Sequence, residues 1–205
     1  AKRCDALDNP IKRRKEAPVT ARSTRKTAAR AISAACLACA SFLAPAQAEY
    51  LINEIKVGAL YHDPGDLWSG FRREPKSVDI NAEILFGPHA DFLWGTIRPA
   101  IGGTLNTSGG TSKAYVDARW QIESPSGIFF GLGLGAAIHD GNITPIDPTR
   151  KALGSRVLFH IPAELGWRWD GHNSISVYFE HMSNGYTQDY NEGLDVIGAR
   201  YGYKF

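Results

Sequence analysis

The sequence predicts an all-β protein, an eight-stranded antiparallel transmembrane β-barrel of the outer membrane. Eight segments alternate apolar and polar residues with the period of two that is typical of strands. Each is close to the roughly 9–11 residues that a tilted strand needs to cross a bilayer, and no stretch after Ala48 reaches the length of about 18 apolar residues expected of a membrane helix. The segments are residues 52–62, 77–86, 95–105, 112–123, 127–139, 154–169, 173–183 and 195–205.

The distribution of charge divides the 205-residue chain into two parts. Residues 1–48 contain ten Lys or Arg against three Asp or Glu, whereas residues 49–205 contain thirteen against eighteen. In the first part a basic stretch, an apolar run over residues 31–44 and a small-x-small sequence at 46–48 follow one another, as in a secretory signal peptide. We therefore expect a basic leader and signal peptide in residues 1–48, followed by the barrel in residues 49–205.

The composition also excludes several classes of protein. With 43% apolar residues and 21 glycines without a regular repeat, the chain is neither disordered nor collagen-like. All three cysteines precede residue 49, so the predicted barrel has no disulfide, no thiolate metal site and no cysteine nucleophile.

The two faces of the predicted strands differ sharply in polarity. One face carries large apolar residues, as in Ile128, Phe130, Leu132 and Leu134. The opposite face is too charged, and too mixed in sign, for an ordinary protein surface, so we expect the apolar face to contact lipid and the charged face to form a salt-bridged interior. Lipid offers no hydrogen-bond partner for an unpaired backbone group at the edge of a sheet, so the sheet must close on itself. The charged face comprises Glu54, Lys56, Asp79, Asn81, Glu83, Lys113, Asp117, Arg119, Arg156, His160, Glu164 and Arg168.

The lengths of the connections predict the orientation of the barrel. Two of the three connections that follow even-numbered segments, residues 123–127 and 170–172, are tight. Outer-membrane barrels have short turns in the periplasm and longer loops outside the cell. We therefore expect the four connections that follow odd-numbered segments, which are mostly long, to face outward. They are residues 63–76, 106–111, 140–153 and 184–194.

Three polar residues interrupt the apolar face near its predicted outer end. By alternation His181 and Ser183 continue the lipid-facing row of the seventh segment, and Asp195 lies on the same face of the eighth. Residues two apart on a strand are separated by about 6.6 Å and adjacent strands by about 4.8 Å, so the three side chains can meet. A serine hydroxyl becomes a nucleophile when a histidine held by an acid removes its proton. The alternative is that these are polar residues at headgroup level in a passive barrel.

The residues around these positions resemble a known family. His181-Met-Ser183-Asn184, then Asn191-Glu-Gly-Leu-Asp195 and the final Tyr-Gly-Tyr-Lys-Phe, are similar to the signature of the PagL-type lipid A 3-O-deacylases. The resemblance covers most of residues 49–205. It implies an eight-stranded barrel of a Gram-negative outer membrane, an esterase that hydrolyses the ester-linked 3-hydroxyacyl chain at position 3 of lipid A.

The resemblance also implies roles for individual residues. Ser183 matches the nucleophile and His181 the base, while Asp195 stands where the family has a glutamate, so the implied triad is Ser-His-Asp. Asn184 and Asn191 match asparagines of the motif, and we expect Asn191 to donate a hydrogen bond to the oxyanion. The alternative for both asparagines is capping of the loop.

Basic residues of the predicted outer loops are candidates for contacts with lipid A phosphates through charge-assisted hydrogen bonds. The alternative is that they are solvated loop charges. These residues are Arg72, Arg73, Lys76, Arg150 and Lys151.

The sequence suggests lipopolysaccharide as the substrate and no metal, organic cofactor or nucleic acid as a partner. It leaves open a homodimer, the acyl-chain preference and the register of the last two strands. Two other functions remain open at this point. The first is a non-enzymatic structural or surface-interaction barrel. The second is a lipid A palmitoyltransferase, although the charged interior argues against the acyl-chain cavity that such an enzyme needs.

Overall fold

The computed structural model describes residues 51–205, which form one antiparallel sheet closed into a barrel. Each long strand pairs with its neighbour along the chain, and the pairings of β1 with β9 and β2 with β4 complete the closure. The predicted eight-stranded barrel is confirmed, with one short strand added. The leader and signal peptide expected in residues 1–48 lie outside the described residues. The strands are β1 (Ile52–His62), β2 (Val78–Phe86), β3 (Ala90–Phe92), β4 (Gly95–Asn106), β5 (Lys113–Glu123), β6 (Ile128–His139), β7 (Val157–Arg168), β8 (Asn173–Ser183) and β9 (Leu194–Lys204).

The short strand β3 was not predicted. It pairs with the first residues of β4 through a two-residue turn, in which Leu93 and Trp94 have φ values of 43° and 59°. Turns of this kind need positive φ at both central residues, and Asn-Gly or Asp-Gly is their usual sequence signal. Two large apolar residues give no such signal. The indole of Trp120 donates a hydrogen bond of 2.8 Å to the Phe92 carbonyl and holds the hairpin against β5.

The barrel has an apolar outer surface and a charged interior, as the alternation predicts. On the outside Leu134 is 61% exposed, whereas Arg200 inside is 1% exposed. Glu164 lies at the centre of the interior network, where Lys56 and Arg200 donate to it at 2.8 and 2.7 Å. Residues 51–205 contain no helical segment with the length and hydropathy of a membrane span.

One residue assigned to the charged face does not lie there. Arg156 precedes β7 and is exposed, and its Nη1 donates to the Gly141 carbonyl at 2.6 Å. The strand begins later than predicted because the chain is still in a loop conformation at Gly154, where φ is 78°. The apparent alternation before Val157 therefore belongs to the connection.

Four connections lie at the same end of the barrel, here called the loop end, and three of them are long. The four are residues 63–77 (loop 1), 107–112, 140–156 and 184–193. The other three connections, residues 87–94 (which include β3), 124–127 and 169–172, lie at the opposite end, here called the turn end.

Two buried carboxylates hold loop 1: Asp63 within the loop itself, and Glu74 against the barrel. Asp63 accepts hydrogen bonds from the N–H groups of Arg73 and Glu74, at 2.8 and 2.9 Å. Glu74 is hydrogen-bonded to the His62 ring at 2.9 Å and accepts the Thr111 N–H at 2.7 Å. Burial alone would raise the pKa of Glu74, but the hydrogen bonds from His62 and Thr111 outweigh it and lower that pKa to about 2. Glu74 therefore stays ionised at neutral pH and continues to hold the loop.

Candidate active site

The pairing of β8 with β9 brings the three polar residues of the outer face together. His181 lies directly opposite Asp195 in the register, and Ser183 follows two residues later on the same side of β8. By alternation they share the outer face with Val177 and Ile197. The register that the sequence left open is thus the one in which the imidazole and the carboxylate are neighbours.

The three side chains form a continuous chain of hydrogen bonds. The Nδ1 atom of His181 lies 2.6 Å from Oδ1 of Asp195, and Nε2 lies 2.9 Å from Oγ of Ser183. With the ring hydrogen on Nδ1, the imidazole donates to the carboxylate and its Nε2 can accept the serine proton. This arrangement has the geometry needed to activate a serine hydroxyl.

The site is less exposed than the sequence predicts. His181 is 4% exposed and Asp195 is fully buried, while Ser183 remains partly exposed. The burial arises because loop 1 folds over the outer face: the ring of Trp68 stacks on the imidazole at 4.4 Å, with an angle of 8° between the planes. Sequence analysis missed Trp68 and its neighbour Ser69 because no spacing or periodicity connects loop 1 to β8.

Lys151 does not take the role that the sequence suggested for it. Its side chain is fully buried, and its ammonium lies 2.8 Å from Oδ1 of Asp63 and 2.9 Å from Oγ of Ser69. A lysine enclosed in this way has no ammonium available for a phosphate at the surface. The charge is buried because Asp63, nearly ninety residues earlier, compensates it.

A comparison with family sequence models matches residues 94–204 to the family described as lipid A 3-O-deacylase (PagL). The chain belongs to the PagL lipid A 3-O-deacylase family. It is therefore a protein of the Gram-negative outer membrane, and membership supports lipid A 3-O-deacylase activity, a hydrolysis.

A solved outer-membrane enzyme resembles this PagL-family chain in fold. The crystal structure of the outer membrane enzyme PagL has a TM-score of 0.54 and 17% identity, covering 73% of this chain and 99% of that one. A de novo designed transmembrane β-barrel gives a TM-score of 0.48 at 11% identity, over 78% and 100% of the two chains. Neisserial surface protein A gives 0.46 at 8% identity, over 74% and 96%. A comparison with curated protein sequences gives no match.

The two asparagines of the family motif make different contacts. The side-chain amide of Asn184 donates to the carbonyls of Leu153 and Tyr190, at 2.9 and 2.5 Å, which favours the loop-capping role. Asn191 uses its side-chain oxygen to accept the N–H of Asn184 at 2.8 Å. Its side-chain NH₂ group makes no hydrogen bond within residues 51–205.

The remaining basic candidates lie at the loop end. Lys76 is exposed, and Arg72 donates from Nε to a carbonyl within loop 1 at 2.8 Å. Arg73 pairs with Glu192 at 2.9 Å, and the partly buried Arg150 lies 3.5 Å from Asp140. Arg72, Arg73 and Arg150 thus also stabilise the conformation of the loops, which is a structural role separate from phosphate binding.

No metal site is evident in the part of the chain that the structure describes. Residues 51–205 contain no group of three or more His, Cys, Asp and Glu side chains arranged to hold an ion. The ring of the buried His160 is hydrogen-bonded to two carboxylates, that of Asp117 at 2.9 Å and that of Glu180 at 3.0 Å.

Proposed function

We propose that this PagL-family protein is a serine esterase that removes the 3-hydroxyacyl chain at position 3 of lipid A. Ser183 is the nucleophile, His181 the general base and Asp195 the acid that orients it. The observation that carries the proposal is the hydrogen-bonded chain from the Ser183 hydroxyl through His181 to Asp195. The family match supplies the substrate class.

The proposed reaction passes through an acyl-enzyme. Oγ of Ser183 attacks the ester carbonyl carbon while Nε2 of His181 accepts its proton. The NH₂ group of Asn191 is our candidate to stabilise the oxyanion. The intermediate then expels the sugar oxygen, which receives the proton from His181. Water, activated in turn by His181, hydrolyses the acyl-serine ester and releases the 3-hydroxy fatty acid.

We propose further that the loop end faces the outside of the cell. Long loops lie outside in outer-membrane barrels, and lipid A occupies the outer leaflet. Ser183 pairs with Phe159 of β7, which is exposed on the apolar surface. A site that opens sideways beside such residues acts on the ester without drawing the acyl chains into water.

Arg72, Arg73, Lys76 and Arg150 are our candidates to hold the phosphates of lipid A. Three of them, Arg72, Arg73 and Lys76, belong to loop 1, which also covers His181. Lys151 is not included, because it is buried.

The mass spectrum of lipid A from Gram-negative cells that express the protein tests this function. We expect the unmodified protein to remove the mass of one 3-hydroxyacyl chain, and the Ser183→Ala variant to leave lipid A unchanged. Ser126→Ala, at the exposed turn end, is the matched control and should behave as the unmodified protein does. Equal amounts of each protein in the outer-membrane fraction must be verified.

Two results would contradict the proposal. Lipid A spectra that are identical with and without the protein would indicate a passive barrel. A gain in mass of one palmitoyl chain would indicate a palmitoyltransferase instead.

A further inference from the structure

We propose that Ser69 in loop 1 is a positioning residue for the acid of the triad, and that Lys151 sets the direction of its hydrogen bond. This inference rests on the proposed function, since it concerns how Asp195 serves His181. Ser69 and Lys151 lie outside the family motif, and neither is expected to touch the substrate.

The two oxygens of Asp195 have separate partners. Oδ1 contacts His181 at 2.6 Å, while Oδ2 accepts both the backbone N–H of Ser69 at 2.7 Å and its hydroxyl at 2.9 Å. Rotation of the carboxylate would break all of these contacts at once. Ser69 therefore fixes the plane in which Asp195 presents Oδ1 to the imidazole.

Lys151 determines which way the Ser69 hydroxyl points. Its ammonium lies 2.9 Å from Oγ of Ser69 and can only donate, so the oxygen of Ser69 is the acceptor in that contact. The hydroxyl hydrogen is then free to point to Asp195. Lys151 is itself held by Asp63 at 2.8 Å, and the backbone N–H of Asp63 donates to the Asp195 carbonyl at 3.1 Å.

Trp68, the residue before Ser69, contacts His181, the hydrogen-bond partner of Asp195. Trp68 stacks on His181 with nearly parallel rings, so one dipeptide of loop 1 holds both the imidazole and the carboxylate. The packing leaves little space, because a Cβ atom at Gly193 would lie 3.1 Å from Cε1 of His181 and 3.5 Å from Cβ of Ser69. Loop 1 thus forms part of the site, although its side chains lie far from β8 in sequence.

A double-mutant cycle tests the inference with purified protein and mixed micelles of detergent and lipid A. Ser69→Ala removes one charge-assisted hydrogen bond, so we expect kcat to fall about 10- to 100-fold with KM changed by less than about twofold. Ser69→Thr, which keeps the hydroxyl, should restore most of the activity. In an Asp195→Ala background the same Ser69→Ala change should alter kcat by less than about twofold, because its effect acts through Asp195.

The control is Ser77→Ala, which removes another serine hydroxyl from loop 1 and should leave kcat and KM unchanged. A second readout does not depend on activity: the NMR signal of the His181 Nδ1–H proton should broaden in Ser69→Ala and not in Ser77→Ala. An equal fall in kcat with and without Asp195, an unchanged kcat, or an unaltered proton signal would overturn the inference. If the unmodified protein does not deacylate lipid A while the proton signal responds as expected, the proposed function fails and the positioning role stands.

Discussion

The Asp195→Asn substitution is expected to lower kcat for lipid A deacylation by about 10⁴-fold. Ser69 presents two donors to Oδ2, so the amide oxygen of the new side chain must occupy that position. Its NH₂ group then faces Nδ1 of His181, which has to become an acceptor. The ring hydrogen moves to Nε2, opposite Ser183, and the imidazole can no longer take the serine proton.

Steady-state kinetics on lipid A in mixed micelles measures this effect. The matched control is Asp189→Asn, an exposed aspartate in the connection between β8 and β9, for which we expect kcat within about twofold of the unmodified protein. Both variants should retain the folded barrel, seen as unchanged heat-modifiable migration on gels. A loss of less than tenfold in Asp195→Asn would show that Asp195 is not the acid that orients His181.

The second large effect concerns stability and the charged interior. Glu164→Gln is expected to reduce the free energy of unfolding by about 3–5 kcal/mol, since it leaves buried cations without their counter-charge. Glu164 accepts hydrogen bonds from Lys56 at 2.8 Å, Arg200 at 2.7 Å and Arg119 at 3.1 Å. The hydroxyl of Ser176 donates a further bond of 2.6 Å.

Urea unfolding of the protein in phospholipid vesicles measures this difference. Glu123→Gln is the matched control, because Glu123 lies at the exposed rim and contacts Arg168 at 3.3 Å and Lys204 at 4.0 Å. We expect that change to cost less than about 1 kcal/mol, as is typical of exposed ion pairs. Equal losses in the two variants would contradict a central role for Glu164.

The sequence predicts the parts of this protein that depend on alternation. A period of two fixes which face of a strand a side chain occupies, so His181, Ser183 and Asp195 could be assigned to one face before their register was known. The charged interior and the closed sheet follow from the same pattern. The predicted start of β7 was three residues too early, because the alternation continues by chance into the connection that contains Arg156.

The parts that could not be predicted are contacts between loops and strands. Ser69 and Asp195 are separated by 126 positions in sequence, and such a contact leaves no periodic signal. A lysine in a loop is expected to be solvated, so the sequence gives no sign that Lys151 is buried. Its burial depends on the distant Asp63. The β3 hairpin escaped prediction since Leu93 and Trp94 adopt positive φ values that large apolar residues rarely take.

The central claim is that Ser183 forms the covalent bond to the acyl group, and active-site labelling tests it most directly. An alkyl fluorophosphonate reacts with an activated serine, forming a phosphorus–oxygen bond and expelling fluoride. We expect mass spectrometry to find one adduct, on the peptide that contains Ser183, and lipid A deacylation to fall in proportion to its formation. Labelling should be absent in His181→Ala. Full deacylation by protein labelled at Ser183, or loss of activity with the adduct on another residue, would contradict the account.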